Sequence, residues 1–247
     1  MRKLQFTLLL CLFLGFKGFA QTDNKDAERL ISTAVEHMGG MDAYNRIEAL
    51  SWNFFGIRHL IWNKQTNQVR IDFANENSVY LIDVDTKEGK ILKNGLEITQ
   101  KDSLDKYLQA AYEIWVNDSY WLVMPFKLKD PGLQYVYLGE MNDRMLKKCE
   151  VLEITFENTG VTPQNKYLIY FDKETGLVNQ WDYFPKRETM NPLFSLPWRD
   201  YKSYAGVLLS DDRGERKLDP VRVFRKLPES VFTSFNRPQF LKRQAKL

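Results

Sequence analysis

The chain has 247 residues, and 35 lysines and arginines against 32 aspartates and glutamates give it a formal charge of +3. This nearly balanced charge, without a concentrated basic face, gives no support to nucleic-acid binding. No linker rich in proline, glycine or serine divides the chain, so the composition favours one globular domain with a sizeable hydrophobic core.

The N-terminus has the pattern of an export signal. Arg2 and Lys3 form a short positive region, and an apolar run at Leu4–Phe16 follows it. Small residues then predict cleavage after Ala20, which would leave a mature chain of residues 21–247. The apolar run is too short to span a bilayer. The sequence therefore predicts an exported protein, most simply a protein of the bacterial periplasm.

Loss of the signal peptide, residues 1–20, would change the charge and the cysteine content. It would remove three basic residues and no acidic one, which brings the formal charge from +3 to zero. Cys11 lies inside the apolar run and not at its end, so the protein is not expected to be a lipoprotein. Cys149 would be the single remaining cysteine, which excludes an internal disulfide bond. We expect a monomer whose fold depends on its hydrophobic core.

The mature chain begins with a helical pattern and continues with strands. Apolar residues at helical spacing predict an amphipathic helix at Asp23–Gly40, closed by a pair of glycines, and a short second turn at Met41–Ile47. Alternating residues then predict one long strand at Leu50–Asn63. Further strand and turn signals follow at Val69–Phe73, Val79–Val84, Lys90–Leu92 and Asn94-Gly95.

A central segment from Asp102 to Gly132 interrupts the strands. Its first half has apolar residues three and four positions apart, which predicts a helix with Asp102 as its N-cap. Its second half, Tyr120–Phe126, is too apolar for a solvated loop, and Pro125 makes a long helix unfavourable there. A lone helical insert between runs of strands must lie on a sheet or cover the mouth of one. We therefore expect a helical lid over a ligand cavity, although a helix that only fills the core is an equally good interpretation.

The strand pattern resumes after the insert, at Leu133–Leu138, Cys149–Glu157, Lys166–Phe171, Leu177–Phe184, Tyr201–Leu209 and Val221–Leu227. About ten strands with two helices predict a mainly β, α+β fold. It would be a large curved antiparallel sheet or incomplete β-barrel, covered by the N-terminal helix and the central helical lid. Two helices are not expected to cover the apolar face of such a sheet completely, and the uncovered part would be a cavity.

Residues that could carry catalysis or hold a metal are few. Neither His37 nor His59 has a carboxylate or a second histidine at metal-ligand spacing, and the common catalytic motifs are missing from the sequence. Cys149 lies beside Glu150, whose charge would raise the pKa of the thiol, so a packed thiol is favoured over a nucleophile. The sequence therefore predicts neither an enzyme nor a cofactor or metal.

Paired carboxylates leave one enzymatic alternative, a hydrolase of envelope glycans or lipids. Asp83 and Asp85 share a strand face, and Asp211 and Asp212 are adjacent. Such pairs hydrolyse glycosides when they lie about 5–10 Å apart across a cleft. The simpler interpretation is that these aspartates are solvated or serve turns.

A polar cluster and two arginines could hold the lid and form a rim. Asn117 and Asp118 interrupt an otherwise apolar stretch. They would either satisfy backbone groups at the end of the helix or hold the polar end of a ligand. Arg58 and Arg70 lie on the early strands. They would either be solvated or reach the insert and hold it closed through bonds to backbone carbonyls.

Three sequence motifs carry a resemblance to known proteins. They are GGMDAY at Gly39–Tyr44, WVNDSYWLVMPFKLKDPG at Trp115–Gly132 and GVTPQNKY at Gly160–Tyr167. They look like a family of uncharacterised exported proteins. The order of signal, N-terminal helix, long meander and helical insert resembles the periplasmic lipoprotein-sorting superfamily of the LolA/LolB type. This resemblance implies one LolA-like open-barrel domain with an apolar concave face, covered by helices that open to admit acyl chains.

These expectations combine into a periplasmic binding or carrier protein for a lipid, a lipoprotein acyl chain or another apolar molecule. Transient membrane contact and envelope partner proteins would go with this role. Besides the hydrolase, the alternative is an interaction module whose concave face docks a partner protein. The aromatic residues expected to line the cavity are Trp52, Phe54 and Trp62 on the sheet and Trp115, Tyr120, Trp121 and Phe126 on the lid.

Overall fold

A computed structural model describes residues 19–157 and 160–242 of the chain. The predicted signal peptide lies outside these residues except for its last two positions, and its cleavage stays a prediction. Within the described residues, no helix is long and apolar enough to cross a membrane.

The described helices are α1 (Phe19–His37), α2 (Gly40–Arg46), α3 (Lys101–Lys127), α4 (Ser230–Thr233) and α5 (Gln239–Lys242). The described strands are β1 (Ala49–Phe54), β2 (Arg58–Asn63), β3 (Gln68–Phe73), β4 (Val79–Asp83), β5 (Gly89–Lys93), β6 (Leu96–Glu97), β7 (Leu133–Asn142), β8 (Lys148–Phe156), β9 (Lys166–Asp172), β10 (Val178–Phe184), β11 (Phe194–Pro197), β12 (Arg199–Tyr204), β13 (Val207–Arg213), β14 (Arg216–Lys217) and β15 (Arg222–Phe224).

The N-terminal helix pair lies against the sheets as its apolar stripe predicts. Ala34 of α1 and Met38, which directly follows this helix, are fully buried in the main core. Gly39 turns the chain between α1 and α2 with a φ of 103°, a left-handed conformation that favours glycine. The carbonyl of Met38 accepts a hydrogen bond from the amide of Leu208 at 2.9 Å, which fixes this corner to β13. The predicted helix and its glycine end are confirmed.

The strands form three antiparallel sheets that are linked by backbone hydrogen bonds. Their orders are β15-β1-β2-β3-β4-β5-β6, β11-β10-β9-β8-β7 and β12-β13-β14. Trp198 connects β11 to β12, and its amide donates to the carbonyl of Asn179 on β10 at 2.8 Å. At the other join, the amide of Asn53 on β1 donates to the carbonyl of Leu218 beside β14 at 3.3 Å. The three sheets are not closed into a barrel, and the predicted mainly β fold is confirmed.

The prediction of one long strand at Leu50–Asn63 is wrong, because this segment is a hairpin. Gly56, with a φ of 74°, lies in the turn, and β2 folds back on β1 so that Trp52 faces Leu60. The predicted apolar face survives, since antiparallel pairing keeps these residues on one side of the sheet. A turn of the same kind divides the predicted strand at Tyr201–Leu209 into β12 and β13. Short strands β6, β11 and β14 were not predicted.

The central helix α3 is longer than predicted. It runs without interruption for 27 residues and packs across β4 and β5 and against β13 and α1. The N-cap is Gln100, whose side chain accepts a hydrogen bond from the amide of Ser103 at 2.7 Å, and not Asp102, which lies in the first turn. The expectation that Pro125 prevents a helix there is also wrong, since Pro125 lies inside the last turn of α3.

A buried arginine explains how α3 accommodates its proline. Pro125 has no amide hydrogen, so the carbonyl of Trp121, four residues earlier, loses its partner within the helix. The Nη2 atom of Arg213 on β13 donates to this carbonyl at 2.6 Å. Arg213 is fully buried, with its guanidinium carbon 3.4 Å from the ring centroid of Trp198. The helix therefore continues because a tertiary contact replaces the missing hydrogen bond.

The outer face of the first sheet is covered by the C-terminal segment, which the sequence did not predict. Val231 and Phe232 of α4 pack with Ala49 and Ile61 in a second, smaller core. Both faces of the first sheet are therefore covered. The apolar surface that the helices leave uncovered, which the sequence predicted, lies along the second sheet.

Candidate ligand-binding site

An aromatic cavity lies between the second half of α3 and the second sheet. Its volume is about 270 Å³, just below the range of about 300–1,000 Å³ that is typical of ligand pockets. Rings from α3, β8, β9, β10 and β11 line it; they belong to Tyr120, Trp121, Phe156, Tyr167, Tyr183 and Phe194. Exposed residues of α3 and of the β8–β9 connection, Asn117, Gly160, Val161 and Thr162, form the rim, which we call the mouth. The cavity is therefore apolar inside and open to solvent.

Strand register sets the aromatic wall. Tyr183 of β10 pairs with Tyr167 of β9 on one side and with Phe194 of β11 on the other, so three rings form a row across three strands. Tyr183 and Phe194 stack with 4.9 Å between ring centroids. Trp181, two residues before Tyr183 on the same face, stacks on Tyr167 at 5.2 Å and meets Trp121 of α3 edge-to-face at 4.6 Å. Each ring is held by another ring, so packing fixes the shape of the cavity.

A few polar groups lie among the rings. Asn165 is buried at the cavity wall, donates to the hydroxyl of Thr162 at 2.7 Å and accepts from the hydroxyl of Tyr183 at 3.4 Å. The Tyr120 hydroxyl is buried and finds no hydrogen-bond partner in the described part of the chain. Burial raises the pKa of Tyr120 well above its usual value, so this hydroxyl stays neutral. Such a group is satisfied if a ligand supplies a polar atom.

The structure brings some of the predicted site residues to this cavity. Tyr120, Trp121 and Asn117 line it, as expected of the insert. Phe54 lies behind Trp121, with 6.0 Å between their ring centroids, and so supports the wall without being part of it.

The other predicted aromatic residues lie in the continuous core. Trp52 is fully buried on β1. Trp62 meets Trp115 edge-to-face at 5.3 Å between β2 and α3. Phe126 stacks on Tyr44 of α2 at 4.2 Å. These residues fasten α2 and α3 to the first sheet.

Arg58 reaches the central helix, through a carboxylate and not through a carbonyl as expected. Its Nε and Nη2 atoms donate to the two carboxylate oxygens of Asp118 at 2.6 and 2.7 Å. Asp118 is fully buried in the middle of α3, and Asn117 donates to the same carboxylate at 2.9 Å. Burial raises the pKa of Asp118, and Arg58 opposes that rise. The pair ties β2 to α3 next to the mouth.

Arg70 neither reaches the helix nor is solvated. It is fully buried on the outer face of the first sheet, where it is paired with Asp72 at 2.7 Å. It also donates to the carbonyls of Val231, Ser234 and Phe235 at 3.1, 2.7 and 3.2 Å. The expected bond between an arginine and helix carbonyls is instead made by Arg213, which the sequence reasoning missed.

The remaining polar candidates take structural positions. The Nδ1 atom of His37 lies 2.6 Å from the carbonyl of Thr175, at the end of α1. Cys149 is buried, and burial raises the pKa of its thiol to about 11. The carboxylate of Asp83 accepts from the amides of Asp85 and Thr86 at 3.0 Å, which is the turn role expected of it. The carboxylate of Asp211 is paired with Lys202 at 2.6 Å.

The sequence reasoning also missed the sheet side of the cavity, which consists of Phe156, Tyr167, Tyr183 and Phe194. The sequence pattern that could have indicated these four residues is weak. The alternation in β9 and β10 marks which residues share a face, but it does not tell which face meets α3.

Comparisons with known proteins find a distant likeness of fold. Neither the protein-family models nor the curated proteins give a match to this chain. A DUF1329 family protein from Desulfovibrio piger aligns with a TM-score of 0.46 and 13% sequence identity, over 84% of this chain and 97% of that chain. MucB, in complex with MucA(peri), aligns with a TM-score of 0.18 and 11% identity, over 80% of this chain and 59% of that chain. Both likenesses are too distant to indicate a function.

Proposed function

We propose that this protein is an exported binding protein that holds an apolar ligand, such as one acyl chain of a lipid or lipoprotein, in the aromatic cavity. The observation that carries the proposal is a cavity lined by six aromatic rings from five elements, with its mouth at the solvent. A core that needed only to be filled would leave no space of this size between the rings.

The size of the cavity suits one chain better than a whole lipid. Each methylene group taken out of water contributes about 0.8 kcal/mol, so about ten of them would contribute about 8 kcal/mol before the costs of association. The hydroxyl of Tyr120 and the amides of Asn117 and Asn165 would bind the polar end of the ligand. Such binding needs neither covalent chemistry nor a cofactor.

Two contacts hold the helix over the cavity. Arg58 binds the carboxylate of Asp118, and Arg213 binds the carbonyl of Trp121, so both act within one turn of the residues that line the wall. A ligand too large for the mouth would enter only if the second half of α3 moved away from the sheet. In this proposal the periplasm is the compartment, and a membrane or an envelope protein is the donor or acceptor of the ligand.

Native mass spectrometry of protein purified from its own envelope, before and after solvent extraction, tests the proposal. We expect a bound mass of lipid size that extraction releases, and renewed uptake of a fluorescent fatty acid by the extracted protein. A protein without bound mass that also takes up no fatty acid would overturn the proposal.

A matched pair of valine variants locates the binding. Val161 lies at the mouth and is 37% exposed, and Val136 lies on edge strand β7 and is 44% exposed. We expect Val161→Asp to lower fatty-acid uptake at least about tenfold, because it puts a charge where the chain enters. Val136→Asp should leave uptake unchanged. Equal uptake by both variants would contradict binding in the aromatic cavity.

A further inference from the structure

A second cavity lies at one end of the first sheet, and we call it the polar cavity. Its volume is about 470 Å³, and it is bounded by the ends of β1 to β4 and by residues 235–237 of the C-terminal segment. Its titratable side chains are Arg58, His59, Asp72, Glu76 and Arg237. It shares no lining residue with the aromatic cavity. The two spaces therefore differ in place and in chemistry.

The acidic residues of the polar cavity are already neutralised. Both carboxylate oxygens of Asp72 accept hydrogen bonds from Arg70, at 2.7 and 2.8 Å. The carboxylate of Glu76 is bound by Lys93 and by the hydroxyl of Ser78. Neither carboxylate is free to hold a cation.

Positive charge in the same cavity is not fully matched. Arg237 is exposed and has no carboxylate partner within the described residues. Arg58 uses its Nε and Nη2 atoms on Asp118, so its Nη1 atom remains as a donor. Two guanidinium groups that face one polar space with spare donors are the usual means of binding an oxyanion.

His59 adds an unsatisfied group to this wall. It is 9% exposed, and its Nε2 atom has no hydrogen-bond partner within the described residues. The charged groups that act on it are Asp72, which favours its protonated form, and Arg70, Arg222 and Arg237, which oppose it. Burial is the largest cause that lowers the pKa of His59, to about 4. The ring is therefore neutral at pH 7, and one of its nitrogens can donate to an anion.

We propose that the polar cavity is a second ligand site, which binds a small oxyanion with a phosphate or carboxylate group between Arg237, Arg58 and His59. The site differs from the proposed function in its cavity and in its chemistry. Arg58 takes part in both, since its Nε and Nη2 atoms hold α3 through Asp118 and its Nη1 atom would bind the anion. The anion would be either a free solute or the headgroup of a lipid, which present the same oxygen atoms to these donors.

Histidine NMR tests the proposal on the intact chain, which has two histidines. Inorganic phosphate, glycerol phosphate and succinate are titrated at constant ionic strength, with sodium chloride as the reference salt. We expect the imidazole signals of His59 to move with saturation for at least one oxyanion and its pKa to rise, because a bound anion stabilises the protonated ring. His37, which is bonded to the carbonyl of Thr175, serves as the internal reference and should not respond. A stronger response to glycerol phosphate than to inorganic phosphate would identify the headgroup as the source, and the reverse would identify the free anion.

A matched pair of arginine variants distinguishes binding at a specific site from a general electrostatic effect of the added salt. Arg237→Gln removes the proposed ligand contact, and Arg225→Gln removes another exposed arginine outside the cavity. Because a charge-assisted hydrogen bond to the anion is lost, we expect Arg237→Gln to weaken oxyanion binding at least about tenfold. Arg225→Gln should bind like the unchanged protein. No saturable response of His59 to any of the three oxyanions, or equal affinities of the two variants, would overturn the proposal.

Discussion

Gly39 shows how one residue sets the position of the N-terminal helix pair. It has a left-handed backbone, and a Cβ atom placed on it would overlap the carbonyl oxygen of Gly206 in the turn between β12 and β13. Gly40 also has a positive φ, of 82°, but a Cβ atom there would meet nothing within 4 Å. The two neighbouring glycines thus share a positive φ and differ in whether a Cβ atom would meet another part of the chain.

This difference gives a prediction with its own control. Gly40→Ala should cost about 1–2 kcal/mol of unfolding free energy, from the left-handed backbone alone. Gly39→Ala should cost about 2 kcal/mol more, since the backbone of the β12–β13 turn must also move. Urea unfolding of both variants measures the difference. Equal costs would show that the corner between α1 and α2 is not pressed against β13.

At the scale of elements, α3 is a case in which one local sequence rule predicts correctly and another predicts wrongly. The apolar spacing before residue 115 predicted a helix correctly, and the rule that proline disfavours a helix interior then gave the wrong end. The rule assumes that the freed carbonyl stays unsatisfied. In this fold Arg213, 92 positions away from Trp121 in the sequence, satisfies it. A proline in an apolar helix does indicate that some buried donor is needed, but the sequence does not tell which residue supplies it.

A double-mutant cycle tests this relation between Pro125 and Arg213. Arg213→Met should cost about 3 kcal/mol, because it leaves buried carbonyls without a donor. In a Pro125→Ala background the amide of residue 125 can bond the carbonyl of Trp121, so the cost of Arg213→Met should fall by about 1 kcal/mol. Urea unfolding of the four proteins gives the coupling.

Pro228→Ala is the control for this cycle, since Pro228 is an exposed residue outside α3. It should show no coupling to Arg213→Met. A cost of Arg213→Met that is the same in all three backgrounds would mean that other contacts of Arg213, such as its stacking on Trp198, account for its effect.

At the scale of the whole molecule, the mainly β, antiparallel architecture was predictable and the place of the cavity was not. Period-two alternation fixes which strand residues share a face, so Trp52 and Leu60 were rightly placed together even though the hairpin between them was missed. The position of the space depends on which parts of the sheet the helices leave uncovered. The first half of α3 and the C-terminal segment cover the first sheet, so the cavity lies on the second, among Tyr167, Tyr183 and Phe194.

The ion pair of Arg58 and Asp118 connects β2 of the first sheet to α3. Its removal is the most direct test of how the helix is held. Asp118 is fully buried, and Arg58 is 17% exposed. Removing one partner of a buried ion pair leaves the other charge uncompensated, which costs about 3–5 kcal/mol. Arg58→Met should therefore lower the free energy of unfolding strongly at neutral pH. Amide hydrogens in the C-terminal half of α3 should also exchange faster in this variant than in the unchanged protein.

The pH dependence of that cost identifies its cause. The pKa of Asp118 is already raised by burial, and loss of Arg58 raises it further. A carboxyl group whose pKa is higher in the folded than in the unfolded state stabilises the fold at low pH, and this stabilisation is lost as pH rises through the folded-state pKa. The difference in unfolding free energy between Arg58→Met and the unchanged protein should thus grow as the pH rises above about 4, the ordinary pKa of an aspartate. Adding Asp118→Asn to Arg58→Met should abolish the growth, since no charge is left to bury. A difference that stays constant with pH would mean that packing of the arginine on Phe54, and not its charge, holds β2 to α3.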